Sequence, residues 1–124
     1  MQIVLAVALG GALGSVGRYL LAGFVMRAVG GSFPWGTLAV NVLGCFLFGL
    51  VWALAEERGA MSPQTCTIVL VGFMGAFTTF SSFAYDTVQL VRDAQWLLAG
   101  ANVTAQNVVG CVALAGGVAL ARAL

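Results

Sequence analysis

The chain has 124 residues, 61% hydrophobic and 7% charged, with a net charge of +1 and a mean hydropathy of +1.05. Five arginines and four carboxylates, with no lysine or histidine, cannot cover a soluble fold of this size, so the composition points to a chain solvated by lipid. No basic block is present to meet nucleic acid, and Cys45, Cys66 and Cys111 stand in separate apolar segments without a CxxC pair, which reads as packing residues rather than a zinc or redox centre.

About 20 apolar residues cross a bilayer core, and the chain divides into four such lengths at its few charged or turn-forming places. The first covers residues 3–26. It lacks a basic n-region and runs past Arg18, longer than a signal peptide requires, so it reads as a retained span. After the turn-like "VGGSFP", the second covers residues 34–55, with Pro34 suited to a first helical turn, and ends at "EERG". The third covers residues 64–91 and ends at Arg92 and Asp93; the fourth covers residues 95–121 and closes on Arg122. Trp35 and Trp96 suit interfacial anchoring, and "GGALGSVG" carries small residues at helix-contact spacing. The expected architecture is an all-α membrane protein forming one four-span domain.

Arginines do not choose its orientation. The side holding both termini would carry Arg58 and Arg122, and the other Arg27 and Arg92, with Arg18 leaning toward it. Either subtler charges set one orientation or the chain inserts both ways up, for which an antiparallel homodimer is the natural assembly.

Polar groups within spans are costly there and become functional candidates. Arg18 either snorkels to the headgroups or supplies a fixed positive charge in a vestibule. Asn41, with Thr37 four residues earlier on the same face, either bonds two helices together or offers N–H donors to a dehydrating anion. In span three, "GFMGAFTTFSSF" (Gly72 to Phe83) sets glycine beside Thr78, Thr79, Ser81 and Ser82, whose hydroxyls compete for backbone hydrogen bonds. That stretch is either a tightly packed glycine-bearing helix or an interruption whose freed carbonyls can hold a cation. Phe80 and Phe83, at i and i+3, are packing residues or, through their electropositive ring edges, the wall of an anion path with Ser82 and Asn41. On span four Thr104, Asn107 and Cys111 form a polar stripe at i, i+3 and i+7, a track of hydrogen bonders or a helix contact.

The residues that carry these readings resemble the Fluc, or CrcB, family of fluoride ion channels over essentially the whole chain. "GGALGSVGRY", "PWGTLAVNVLG" and "GFMGAFTTFSSF" are similar to that family's signatures in its first three helices. The resemblance implies an antiparallel, dual-topology homodimer in the plasma (inner) membrane of a prokaryote, with an interrupted third helix. It also implies two passive pores selective for fluoride over chloride, which export cytoplasmic fluoride and give fluoride resistance. Phe80 and Phe83 would be aromatic fluoride ligands and Asn41 the pore amide, with Thr37 and Ser82 beside them and Arg18 at the vestibule. The carbonyls of Gly75 and Thr78 from each subunit would hold one central structural sodium ion. Asp86 falls where many members carry glutamate. Met74 and Ala76 depart from the usual cysteine and glycine without removing a carbonyl, whereas Asn107 and Cys111 stand where hydroxyls are common.

Two other classes compete. A proton-coupled multidrug-type exporter, also small and dual-topology, requires a carboxylate within its first span, and this span has none. A structural membrane subunit would make the Asn41, Phe80 and Phe83 group simple packing. An enzyme is not expected.

Overall fold

In a computed structural model describing residues 1–124, the chain is entirely helical between its turns. Helix α1 is Gln2–Val29 and α2 is Trp35–Glu56. The third span is composite. It comprises α3 (Pro63–Thr67), a π-helical stretch (Ile68–Met74), α4 (Gly75–Phe77), two extended residues, and α5 (Phe80–Arg92). Helix α6 is Trp96–Ala123. The composite span and the three long helices are each long and apolar enough to cross a membrane.

Local chemistry accounts for the element ends. Helix α1 continues beyond the expected residue 26 to Val29, with Arg27 in its last turn, where a cation complements the carbonyl end of the helix. Pro34 stands just outside α2 as its N-cap rather than within the first turn. Ser62 caps α3 by accepting a hydrogen bond from the Thr65 N–H, and Pro63 follows at the first helical position, where its missing N–H matters least.

Helices α2 and α6 pack together most extensively, while α1 crosses the first half of the third span. At the α2–α6 crossing Gly49 faces the Leu114 carbonyl and Gly117 faces the Phe46 carbonyl, and a Cβ at either position would overlap the opposing backbone. In lipid, where apolar burial does not drive helices together, such backbone-to-backbone approach provides the attraction. Where the same pair of helices reaches the membrane surface, Arg122 forms a bidentate ion pair with Glu57 at 2.6 and 2.8 Å, and Arg58 donates to the Arg122 carbonyl. The Arg122 guanidinium holds the Glu57 carboxyl below its usual pKa range.

Close approach at this crossing makes a direct prediction. Gly117→Val should destabilise the fold by about 1–3 kcal/mol through overpacking against backbone that cannot move aside. Gly100→Ala, which faces open space, should be neutral or slightly stabilising. Thermal unfolding in detergent compares the two, and equal effects would refute the close-contact account.

Candidate functional site

The third span departs from α geometry twice, where the sequence suggested one interruption. From Ile68 to Met74 the helix widens to π spacing, and the Gly75 N–H reaches back to the Leu70 carbonyl. Here α1 comes closest, with Gly14 set against the Phe73 carbonyl. Four residues beyond the π stretch the helix ends altogether. Thr78 (φ −77°, ψ 158°) and Thr79 (φ −150°, ψ 109°) are extended, and α5 starts again at Phe80. The unbroken-helix reading of "GFMGAFTTFSSF" is therefore replaced by a true break.

Backbone left unpaired in a membrane is expensive, and here a side chain from α2 pairs it. Asn41 Oδ1 accepts the Thr79 N–H at 2.8 Å, while Asn41 Nδ2 donates to the Thr79 carbonyl at 3.0 Å. The side-chain amide thus meets Thr79 as a neighbouring β-strand would. The second proton of Nδ2 goes to Gln106 Oε1 on α6, also at 3.0 Å. Thr79 itself caps α5, its Oγ1 accepting the Ser82 N–H at 3.1 Å, and Thr78 Oγ1 donates back to the Met74 carbonyl.

Asn41 draws the Thr79 N–H away from the carbonyl of Gly75, its partner in a continuous α-helix. The neighbouring Thr78 carbonyl accepts Arg18 Nη1 at 3.4 Å, the long limit of a hydrogen bond, with a second lone pair to spare. Arg18 thus points at the break instead of running along its helix to the membrane surface.

Around the break the site residues fall into two groups. One cavity of about 350 Å³ is lined by Asn41, Phe80, Phe83, Gln106 and Asn107, among others. Phe83 is 9% exposed and Phe80 is 78% exposed, their rings 5.3 Å apart in an edge-to-face arrangement. A second recess of about 410 Å³ contains Arg18, Thr37 and Ser82, and Thr79 lines both. Although Thr37 and Asn41 are one turn apart, they serve different partners, because Thr37 Oγ1 donates to Asp86 Oδ2 at 2.6 Å.

On α6 the inward polar stripe is not the one picked from the sequence. Thr104, Asn107 and Cys111 are exposed, Asn107 donates within its own helix to the Val103 carbonyl, and Cys111 does not line the cavity. Asn102 and Gln106, at i and i+4, face the bundle instead. Gln106 Nε2 reaches Asn102 Oδ1 at 3.5 Å, the fully buried Asn102 donates to Thr87 Oγ1 at 2.9 Å, and Thr87 donates to the Phe83 carbonyl at 2.8 Å. The available signal was amide chemistry at helical spacing, since two carboxamides one turn apart can bond each other as well as a neighbouring helix.

Comparison with known proteins agrees with this architecture. The family model described as "CrcB-like protein, Camphor Resistance (CrcB)" matches residues 5–118. A protein named "Fluoride-specific ion channel FluC" from Nitrosococcus oceani is 56% identical over 106 residues, 86% of this chain and 85% of the relative. Proteins of the same name from Desulforapulum autotrophicum and Maridesulfovibrio salexigens are 51% and 43% identical, covering 94% and 98% of this chain and 93% and 97% of their own lengths.

The Asn41 clamp yields a stability test. Asn41→Leu, close in volume, strands the N–H and carbonyl of Thr79 at about 1–3 kcal/mol for each group left unsatisfied. Asn107→Leu loses only a bond within its own helix. Thermal unfolding should therefore show the larger loss for Asn41→Leu, and the reverse order would remove Asn41 from its place as the partner of the break.

Proposed function

This chain belongs to the CrcB family of membrane ion channels, which are not enzymes, and we propose that it is itself a fluoride-selective passive channel that exports cytoplasmic fluoride. The observation that carries the reading is the cavity at the broken third span, which the Phe80 and Phe83 rings and the Asn41 and Gln106 amides line together. A small, strongly hydrated anion gives up water only for donors. The aromatic rings and the Gln106 Nε2 proton that its bond to Asn102 leaves free supply positive potential without a counter-charge that would trap the ion. Asn41, both of its Nδ2 protons engaged, lines the path and holds the break open beside it. Arg18, in the adjoining recess with Thr37 and Ser82, raises the local anion concentration.

Passive flow down the gradient is enough for export and hence for fluoride resistance. From acidic surroundings fluoride enters the cell as neutral HF, dissociates inside and is held there as the anion. The membrane concerned is the plasma membrane of a prokaryote.

The working unit in this proposal is an antiparallel homodimer. Phe80 leaves one side of the cavity open, and lipid is a poor wall for the amides that line part of it, whereas a second protomer can close it. The near-even arginine distribution permits both insertions. A sodium ion between protomers would be held by the carbonyls of Gly75 and Thr78. The fit rests on a Gly75 carbonyl deprived of its helical donor and a Thr78 carbonyl that spends one lone pair on a long bond to Arg18. Neutral oxygen donors of this kind suit a hard cation, which when bound supplies a fixed charge that ties two breaks together.

Reconstituted protein should release fluoride but not chloride from liposomes, read with ion-selective electrodes. Phe80→Ile should reduce fluoride efflux by about tenfold or more while leaving the elution volume of the assembly unchanged. Absence of fluoride efflux from assembled wild type would overturn the function, and undiminished efflux in Phe80→Ile would remove Phe80 from the path. For the assembly, single cysteines introduced into the loops should label from both faces of the membrane, and replacing sodium with a large organic cation should lower dimer stability. Labelling from one face would exclude dual insertion, and indifference to sodium would exclude the ion.

A further inference from the structure

One hydrogen-bonded chain runs from the broken backbone, through α2 and α6, back to the helix bearing the phenylalanines. It links the Thr79 N–H, Asn41, Gln106, Asn102, Thr87 and the Phe83 carbonyl. Carboxamides can face either way, so a chain of three admits many orientations unless its ends decide. Both ends here are backbone groups with a fixed sense. At one end the Phe83 carbonyl can only accept. It therefore takes the Thr87 hydroxyl proton, leaving Thr87 Oγ1 to accept from Asn102. That turns Asn102 Oδ1 toward Gln106 and Gln106 Oε1 toward Asn41. At the other end the Thr79 N–H can only donate, and it requires Asn41 Oδ1 on its side, which turns Asn41 Nδ2 toward Gln106. The two ends impose the same direction on every amide between them.

We propose that Asn102 and Thr87 are positioning residues for permeation. With the cavity-lining Gln106 they form a one-way relay that fixes the Asn41 amide and holds the Thr78–Thr79 break in register with Phe83. The inference rests on the channel reading and deepens it by naming residues that act through Gln106 and Asn41. Asn102 is 0% exposed, and neither it nor Thr87 lines the cavity, so an effect of either on flow has to travel through the relay. Breaking any link frees the next amide to flip and ends the agreement between the two termini.

The test compares Thr87→Val, which keeps shape and loses the hydroxyl, with Thr87→Ser, which keeps the hydroxyl. Both are reconstituted as assembled full-length protein, and fluoride efflux is read per assembled particle. Expected are a fall of about tenfold for Thr87→Val and recovery to near wild type in Thr87→Ser. Asn102→Leu, also near-isosteric, should fall similarly and serves if Thr87→Val does not assemble. Combining Thr87→Val with Asn102→Leu should add little further loss, because one break already releases the chain, whereas independent structural defects would multiply. Wild type that conducts alongside Thr87→Val or Asn102→Leu of equal conductance overturns the relay alone. Multiplying losses, or a Thr87→Ser no better than Thr87→Val, also overturn it. Wild type without fluoride efflux overturns the channel reading and this inference with it.

Discussion

The structure depends on one substitution of partners, the Asn41 side-chain amide standing in for helical backbone at Thr79. A membrane-spanning segment keeps its peptide groups paired because lipid offers them nothing. Two extended residues in the third span violate that requirement, and the remedy comes from another helix, by two hydrogen bonds of 2.8 and 3.0 Å to one residue. Without that amide the cheapest repair would be for Thr78 and Thr79 to rejoin the helix. The break, the cavity beside it and the change of direction into α5 all presuppose Asn41 in place.

Delivering an amide to the break requires α2 to lie close to the third span and to keep that distance. The glycine crossing of α2 on α6 fixes α2 from one side, and α1, drawn against the π stretch, holds the first half of the third span on the other. Neither contact involves a polar side chain. They set helix separations, and the carboxamides of Asn41, Gln106 and Asn102 then bridge gaps of the right width. Every buried side-chain nitrogen or oxygen in the protein has a hydrogen-bond partner, as a polar network sealed from water requires.

The number of spans was legible because hydropathy and rare charges record the thickness of the bilayer directly. Legible too was the oddity of "GFMGAFTTFSSF", since hydroxyls and glycines mark a segment able to leave the helix, though not that it does. Whether it leaves depends on Asn41, which lies 38 residues away and whose bonding no local pattern encodes. The π stretch coincides with the close approach of α1, where Gly72 meets the Val7 backbone and Gly14 the Phe73 carbonyl, a pairing of distant glycines that local periodicity does not encode. On α6 the sequence singled out a different face from the one that bonds the bundle, although Asn107 of that face still lines the cavity. Thr104, Asn107 and Cys111 formed the more varied polar stripe, but amphipathicity in lipid does not say which polar face turns inward, and α6 carries little contrast between its faces. Asn102 and Gln106 point inward because Asn41 and Thr87 wait there with complementary groups.

A break of this kind also separates charge. The half-helix ending at Phe77 brings carbonyl oxygens to the gap, and α5, beginning at Phe80, brings N–H groups to it. In a continuous helix these partial charges cancel along the axis; parted by two extended residues, they become a negative end and a positive end a few ångströms apart. A negative end suits a cation and a positive end an anion, so in the proposed channel Gly75 with Thr78 and Phe80 with Phe83 would take opposite partners across one interruption. Arg18 belongs to the same arithmetic. Its charge reaches the Thr78 carbonyl at 3.4 Å, where it offsets part of the negative end in the isolated protomer.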